Sequence, residues 1–258
     1  MRRVILLGVA CLGLLPTVGA AQYYTFQENS KSSWEDPMEL VAQAAHQAAD
    51  LLAWSLHENS RPVASEKYNR KVHFGVWIDD HEDENCFDTR SEVLIRDALS
   101  DVQFYQQNPC KVYSGKWHDP YSDQLYTRAI EVEIDHVVAL KNAYDSGAWS
   151  WKPELRCLYA NFMGDPEHLV SASSNANKAK GDKGPEGWMP KNLAFSCQHL
   201  HNWLMVKYVW NLNMTEKEVA AIQNYLQEYD CDPKEFKPSK KEIVKIRQNI
   251  QRDLKICQ

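Results

Sequence analysis

Six cysteines spread along the chain after its N-terminal segment limit the possible folds more than any other feature. They are Cys86, Cys110, Cys157, Cys197, Cys231 and Cys257. The even number predicts three disulfide bonds, and hence an oxidising compartment, but the spacing leaves their pairing open. Zinc binding is the alternative interpretation, which the long spacings and the lack of any Cys-x-x-Cys pair disfavour.

The N-terminal segment has the pattern of a secretory signal peptide. Arg2-Arg3 precedes an apolar stretch over residues 4–15, and small residues ending at Ala20 form a cleavage site. Cleavage there would remove Cys11, so that six of the seven cysteines remain. We therefore expect a secreted or periplasmic protein. No later apolar run is long enough to predict a membrane span.

The rest of the chain shows no repeat, low-complexity tract or long linker, and the 44% apolar content of the full sequence is that of a globular protein. The pattern is mainly helical with a few short strands. Helices are predicted over Asp36–Leu56, Thr89–Leu99, Val219–Leu226 and Ile243–Leu254, and a strand over Val72–Ile78. Capping boxes, Thr215 with Glu218 and Ser239 with Glu242, precede the last two helices.

Two segments carry the residues that suggest chemistry. Residues 131–138 alternate as a strand that ends on Asp135 and His136. Neighbouring strand residues point to opposite faces, so this pair cannot bind one ion from a flat strand. Residues 168–172 predict a second strand, which turns into a small helix near Ser174. Asn175, Asn177 and Lys180 would project from the first turns of that helix.

Further motifs accompany these segments in a fixed order. They are Tyr68-Asn69-Arg70, Phe74-Gly75-Val76-Trp77, Thr89-Arg90, Ser114-Gly115, Asp119-Pro120-Tyr121, residues 177–185, Trp188 to Asn192, Cys197, and Trp203 with Lys207. Over roughly residues 68–226 the chain resembles the HNH, or ββα-metal, nuclease superfamily. It is most similar to the secreted branch related to the C-terminal nuclease domain of GmrSD-type restriction enzymes.

The resemblance implies roles for individual residues. Asp135 and Asn177 would bind one divalent ion, Mg²⁺ before Mn²⁺, because Mg²⁺ prefers oxygen ligands. His136 would be the general base that takes a proton from the attacking water. Lys180 would contact a phosphate oxygen, with an exposed, merely solvated lysine as the alternative. Lys178 and Lys183 are further candidates for substrate binding.

One position departs from the family pattern. Nine residues before Asn177 the family usually has an asparagine that supports the loop of the general base, and this chain has His168. A histidine also donates and accepts hydrogen bonds, so it can replace that asparagine. The alternative is a strand residue without a catalytic part. Asn175 competes with Asn177 for the ion, but Asn177 has the family's spacing to Lys180.

The charge is unevenly distributed. Without Arg2 and Arg3 the chain has 27 basic against 35 acidic residues, a net charge of −8. Residues 79–101 contain nine acids and two arginines, whereas residues 231–258 contain eight basic and four acidic residues. We therefore expect nucleic acid to lie away from residues 79–101, on the basic C-terminal helix and the lysines near Asn177. The loop over residues 79–84 is interpreted as solvated, with structural Ca²⁺ as the alternative.

Together these features predict an α+β fold, with a ββα-metal nuclease core embedded in a mainly helical, disulfide-stabilised domain. The expected order is a signal peptide (1–20), an N-terminal helical segment (21–67), the nuclease domain (68–230) and a basic C-terminal helix packed on it (231–258). The expected function is metal-dependent hydrolysis of DNA, or RNA, with low sequence specificity, by a monomer. The alternatives are a non-catalytic binding module and a specialised nuclease toxin. Whether an inhibitor protein exists stays open.

Overall fold

The computed structural model describes residue 64, residues 66–232, residue 236 and residues 240–258. The predicted signal peptide, the predicted helix Asp36–Leu56 and Ser239 of the second capping box lie outside these residues. Within the described ranges, no helix is both long and apolar enough to cross a membrane.

The described residues form five strands and eight α-helices. The strands are β1 Gln103–Tyr105, β2 Asn108–Asp119, β3 Gln124–Arg128, β4 Val132–His136 and β5 Leu169–Ser173. The helices are α1 Arg70–His73, α2 Thr89–Arg96, α3 Leu140–Asp145, α4 Pro153–Asn161, α5 Ser174–Lys180, α6 Ser196–Val209, α7 Glu216–Glu228 and α8 Lys240–Asp253. This mixture confirms the predicted α+β class.

Two antiparallel sheets organise the strands. The first has the order β1-β2-β3, and the second consists of β4 and β5 alone. In the second sheet Asp135 pairs with Val170 and His136 with Leu169. The Ser173 side chain then accepts a hydrogen bond from the Ala176 amide and so caps α5 directly after β5. The result is a strand-strand-helix unit, and α3 and α4 are inserted between its two strands.

A large apolar core packs around that insertion. It contains the start of α3, the end of α4 and most of α6, with Val138, Leu158, Phe162, Leu200 and Trp203 among its fully buried members. A smaller cluster of α2, β2 and β4 residues includes Val93, Trp117 and Ile134. β4 contributes Val132 and Ile134 to the smaller cluster, and Val137 and Val138, which directly follow the strand, belong to the large core. Their burial holds the end of β4 in place.

Three disulfides are present, as the cysteine count predicts. They join Cys86 to Cys110, Cys157 to Cys257 and Cys197 to Cys231. The second links α4 to a short 3₁₀ helix, Leu254–Cys257, that follows α8. The C-terminal segment is thereby anchored covalently to the inserted helix that precedes β5.

The predicted strand over Val72–Ile78 is wrong. The first part of this stretch belongs to the short helix α1, because Asn69 caps it by accepting a hydrogen bond from the Val72 amide. Gly75, with φ +74°, then turns the chain out of the helix. The prediction for α7 is confirmed, and its capping box between Thr215 and Glu218 is complete.

Candidate active site

β4 delivers Asp135 and His136 to two different environments. The strand alternates, so His136 shares a side with Ile134, whereas Asp135 shares the opposite side with Glu133. Both Asp135 and His136 are buried at the end of the strand. The predicted arrangement of adjacent residues with separate partners is thus present in the structure.

The His136 imidazole is held by the C-terminal end of α4. Its Nε2 lies 2.9 Å from the carbonyl oxygen of Ala160, and Nε2 of His168 lies 2.7 Å from the carbonyl oxygen of Tyr159. The last carbonyls of a helix lack partners within the helix, so two imidazoles satisfy two of them here. A carbonyl oxygen only accepts, so each Nε2 carries the hydrogen and each Nδ1 carries a lone pair.

Aromatic rings surround this imidazole. Trp77 stacks on His136 with ring centroids 5.3 Å apart and planes 2° from parallel, and Tyr159 is nearly parallel to the same ring with centroids 6.3 Å apart. Burial lowers the pKa of His136 well below its ordinary value. Burial also lowers the pKa of His168, to about 4. Both rings are therefore neutral at ordinary pH.

His168 does not belong to β5 but precedes it. Its ring meets that of His136 edge-on at 6.1 Å, and its backbone carbonyl accepts a hydrogen bond from the Val137 amide at 3.1 Å. The residue thus contacts both the ring of His136 and the backbone that follows it. Its Nδ1 is buried and has no hydrogen-bond partner within the described part of the chain.

Asp135 lies in a buried polar network on the other side of β4. Its Oδ1 accepts a hydrogen bond from Lys180 Nζ at 2.8 Å, and its Oδ2 accepts one from the Tyr121 hydroxyl at 2.6 Å. Burial raises the pKa of Asp135, and the Lys180 ammonium opposes that rise. Burial and Asp135 together hold the pKa of Tyr121 well above its ordinary value, so its hydroxyl remains a donor.

Lys180 connects the two sides of the site. Only 1% of its side chain is exposed, and its ammonium group also donates to the backbone carbonyl of His136 at 2.8 Å. The interpretation of Lys180 as an exposed, solvated lysine is therefore wrong. In α5 only Lys180 is buried, and its side chain reaches the β4 residue Asp135.

Glu133 is a polar residue of the site that the sequence patterns did not single out. Its carboxylate accepts hydrogen bonds from Asn177 Nδ2 at 2.9 Å and from the Ser174 hydroxyl at 2.8 Å. Lys178 Nζ lies 3.7 Å from the same carboxylate. The position of Glu133, two residues before Asp135 on a predicted strand, was the available signal.

The other candidates lie around this cluster. Asn177 contacts Glu133 rather than Asp135. Lys178 and Lys183 are exposed beside it, and the Lys183 ammonium donates to the carbonyl of Ala179 at 2.6 Å. Asn175 points to solvent. In the C-terminal segment, Lys255 pairs with Glu82, so part of its basic charge faces the acidic loop.

The donor set on this side of β4 consists of oxygen atoms. Two carboxylates, Glu133 and Asp135, and the Asn177 amide lie along one strand and the facing helix. No group of three or more histidine, cysteine or acidic side chains in the described ranges is arranged to hold a metal. The three oxygen donors of Glu133, Asp135 and Asn177 suit a hard, partly hydrated cation like Mg²⁺ and not zinc, which favours nitrogen and sulfur ligands.

Comparison with known proteins identifies the class of this domain. A model of the C-terminal domain of the GmrSD restriction endonucleases matches residues 88–224, which is more than half of the chain. The chain therefore belongs to this family of nuclease-type domains, and the match includes every candidate residue from Asp135 to Lys183. The resemblance inferred from the motifs is confirmed.

A relative from the fungus Arthroderma benhamiae, described as an uncharacterized secreted protein, is 41% identical over 138 residues. The alignment covers 54% of this chain and 66% of the relative's length. No solved structure matches the chain.

Proposed function

We propose that this chain is a secreted, metal-dependent endonuclease that hydrolyses phosphodiester bonds of DNA, or RNA, with low sequence specificity. The observation that carries the proposal is the hydrogen bond from His136 Nε2 to the Ala160 carbonyl. It leaves Nδ1 as the lone-pair nitrogen of a neutral imidazole, on the residue that directly follows Asp135. Family membership supports nucleic acid as the substrate class.

In this mechanism His136 is the general base. Its Nδ1 takes a proton from the water that attacks the phosphorus, and the Ala160 carbonyl stabilises the imidazolium through its Nε2 hydrogen. Trp77 and Tyr159 keep the ring in one plane, which preserves the direction of Nδ1. His168 is a positioning residue, since it contacts the ring of the base and the backbone that follows it.

Asp135 and Asn177 are the proposed ligands of the divalent ion, which we propose to be Mg²⁺ rather than Mn²⁺. A bound ion would stabilise negative charge that develops on the phosphate during hydrolysis. The chain's own contribution is to hold these oxygen donors on one side of β4 and α5. Lys180 fixes the Asp135 carboxylate and, through the His136 carbonyl, links it to the base.

Lys178 and Lys183 are the proposed phosphate contacts. Both are exposed next to Asn177 at the end of α5, where a nucleic-acid backbone could approach. Lys180 is buried by contrast, so its phosphate contact requires that its ammonium leave Asp135. The main proposed role of Lys180 is therefore to position the Asp135 carboxylate, and contact with a substrate phosphate is its second role.

We also propose that the protein is secreted and acts as a monomer. Three disulfides persist in an oxidising compartment, and the fungal relative is described as a secreted protein. The signal pattern over residues 1–20 supports the same location.

The proposal is tested by incubating purified protein with plasmid DNA, single-stranded DNA and RNA, with Mg²⁺ or with EDTA. We expect cleavage with Mg²⁺, none with EDTA, and a loss of at least about a hundredfold in His136→Ala. His118→Ala is the matched control, because His118 is an exposed histidine that pairs with Asp123. Absence of cleavage on every substrate would favour the non-catalytic binding module.

A further inference from the structure

We propose that Glu133 is a third protein ligand of the divalent ion, beside Asp135 and Asn177. This inference rests on the proposed function, because it concerns the ion that the family resemblance implies. It adds a residue of this chain that neither the motif pattern nor the family match assigns.

The geometry of β4 places Glu133 on the required side. Alternate residues of a strand share a face, so Glu133 and Asp135 lie on the side that packs against α5. Val132 and Ile134, on the opposite side, are buried in the apolar core. A glutamate at this position therefore faces the helix that carries Asn177.

Within the described part of the chain, the hydrogen-bond and ion-pair partners of Glu133 all come from α5. The three partners are Ser174, Asn177 and Lys178, at 2.8, 2.9 and 3.7 Å. The direct contact with the Asn177 amide matters most. It brings the side chain of a proposed ion ligand against the Glu133 carboxylate, which is the hard, charged type of ligand that Mg²⁺ prefers.

Accessibility also favours Glu133. Its side chain is 35% exposed, whereas that of Asp135 is 4% exposed and has both oxygens engaged by Tyr121 and Lys180. Mg²⁺ gives up its water reluctantly and keeps several waters in protein sites. A half-exposed carboxylate admits such a hydrated ion, and the lone pairs that remain free on Glu133 are sufficient to bind it.

The competing explanation is purely structural. An acid near the first turn of a helix stabilises that helix, and Glu133 accepts a hydrogen bond from Ser174, the first residue of α5. In that case Glu133 would orient Asn177 without touching the ion. Loss of affinity alone does not separate the two roles, since outer-shell partners also cost about tenfold to a hundredfold in metal affinity.

The test uses Mn²⁺ as the probe and the purified full chain. Titration followed by electron paramagnetic resonance gives the Kd, which we expect to rise at least about tenfold in Glu133→Gln. Glu131→Gln is the matched control: Glu131 is an acid two residues earlier that is half-exposed like Glu133 but pairs with Arg128, and its removal should leave the Kd unchanged. Circular dichroism checks that each variant is folded.

A second measurement identifies the ligand directly. Protein labelled with ¹³C at its glutamate carboxyl carbons should show a strong Mn²⁺–¹³C coupling by electron–nuclear double resonance. We expect this coupling in the unsubstituted protein and in Glu131→Gln, and its loss in Glu133→Gln. An unsubstituted protein that binds Mn²⁺ without the coupling, or a Glu133→Gln variant that retains it, overturns the inference.

These outcomes separate the inference from the proposed function. Metal-dependent cleavage without a glutamate coupling overturns the role of Glu133 and leaves the nuclease proposal standing. A coupling that disappears in Glu133→Gln, in a protein that cuts no nucleic acid, supports the ligand and overturns the nuclease. Failure of the unsubstituted protein to bind Mn²⁺ overturns the ligand and the metal dependence together.

Discussion

Asp135 and His136 are neighbours on β4, yet the two sides of the strand hold them by different physical means. On the imidazole side, neutral rings donate to the end carbonyls of α4 and stack on aromatic residues. On the carboxylate side, lysine ammonium groups of α5 neutralise two acids. One strand can therefore keep an imidazole uncharged while it holds a carboxylate, paired with a lysine, at the neighbouring residue.

The largest effect is expected from the disulfide that anchors the imidazole side. Cys157–Cys257 closes a loop of 100 residues, so its removal by two serine substitutions should lower the free energy of unfolding by about 4.7 kcal/mol in the chain-entropy model. Cys86–Cys110 closes only 24 residues and should cost about 3.5 kcal/mol. Urea denaturation measures both, and the reverse ranking would contradict the prediction.

Lys180→Met removes the buried ion pair between Lys180 and Asp135 on the carboxylate side. It leaves the buried Asp135 without its cation, which should lower the free energy of unfolding by about 3–5 kcal/mol. Adding Asp135→Asn should restore part of that loss, because a neutral amide needs no counter-charge. If Lys180→Met were as stable as the unsubstituted protein in thermal denaturation, Asp135 would have to be protonated in the native state.

His168→Asn tests the uncharged side through its pH dependence. The native pKa of His168 is about 4 and its ordinary value is 6.5, so the unfolded chain binds this proton first as the pH falls. The neutral native form therefore loses stability below about pH 6.5. Between about pH 7.5 and about pH 5 the unsubstituted protein should lose about 2 kcal/mol more than the variant. Parallel stability curves for the two proteins would contradict the assignment.

The smallest effect is expected at Lys178, which shares α5 with Lys180. Its side chain is 71% exposed and lies 3.7 Å from Glu133, so Lys178→Met should change the free energy of unfolding by less than about 1 kcal/mol. Its effect should instead appear in nucleic-acid binding, as a weaker dependence of affinity on salt. A loss of stability as large as that of Lys180→Met would show that exposure does not separate the two lysines.

Much of the strand-strand-helix unit could be predicted from local sequence. Alternation marks β4, and the capping serine and the polar run after it mark α5. Local sequence patterns did not predict the sheet β1-β2-β3, because most of β2 is exposed or half-buried. Only Val112, Trp117 and Asp119 of this strand are buried. A strand without a continuous apolar face gives no hydrophobic alternation to detect.

Prediction of the candidate site from sequence is limited in a similar way. The spacing of Asn177 and Lys180 places them on one face of a helix, but it does not say how deep each side chain lies. Burial at the site also involves residues outside that helix, such as Tyr121, which lies in the turn after β2 and donates a hydrogen bond to Asp135. The carbonyls of α4 that hold both histidines are backbone groups, so no residue type reveals them.

The link between α4 and the C-terminal segment has a consequence for the order in which the site is completed during synthesis. A growing chain emerges with β4 and α5 well before Cys257, the partner that lies 100 residues beyond Cys157. The carbonyls that orient His136 belong to the helix that contains Cys157. The covalent link that holds the helix behind His136, the proposed general base, can therefore form only after every residue of the candidate site has been synthesised.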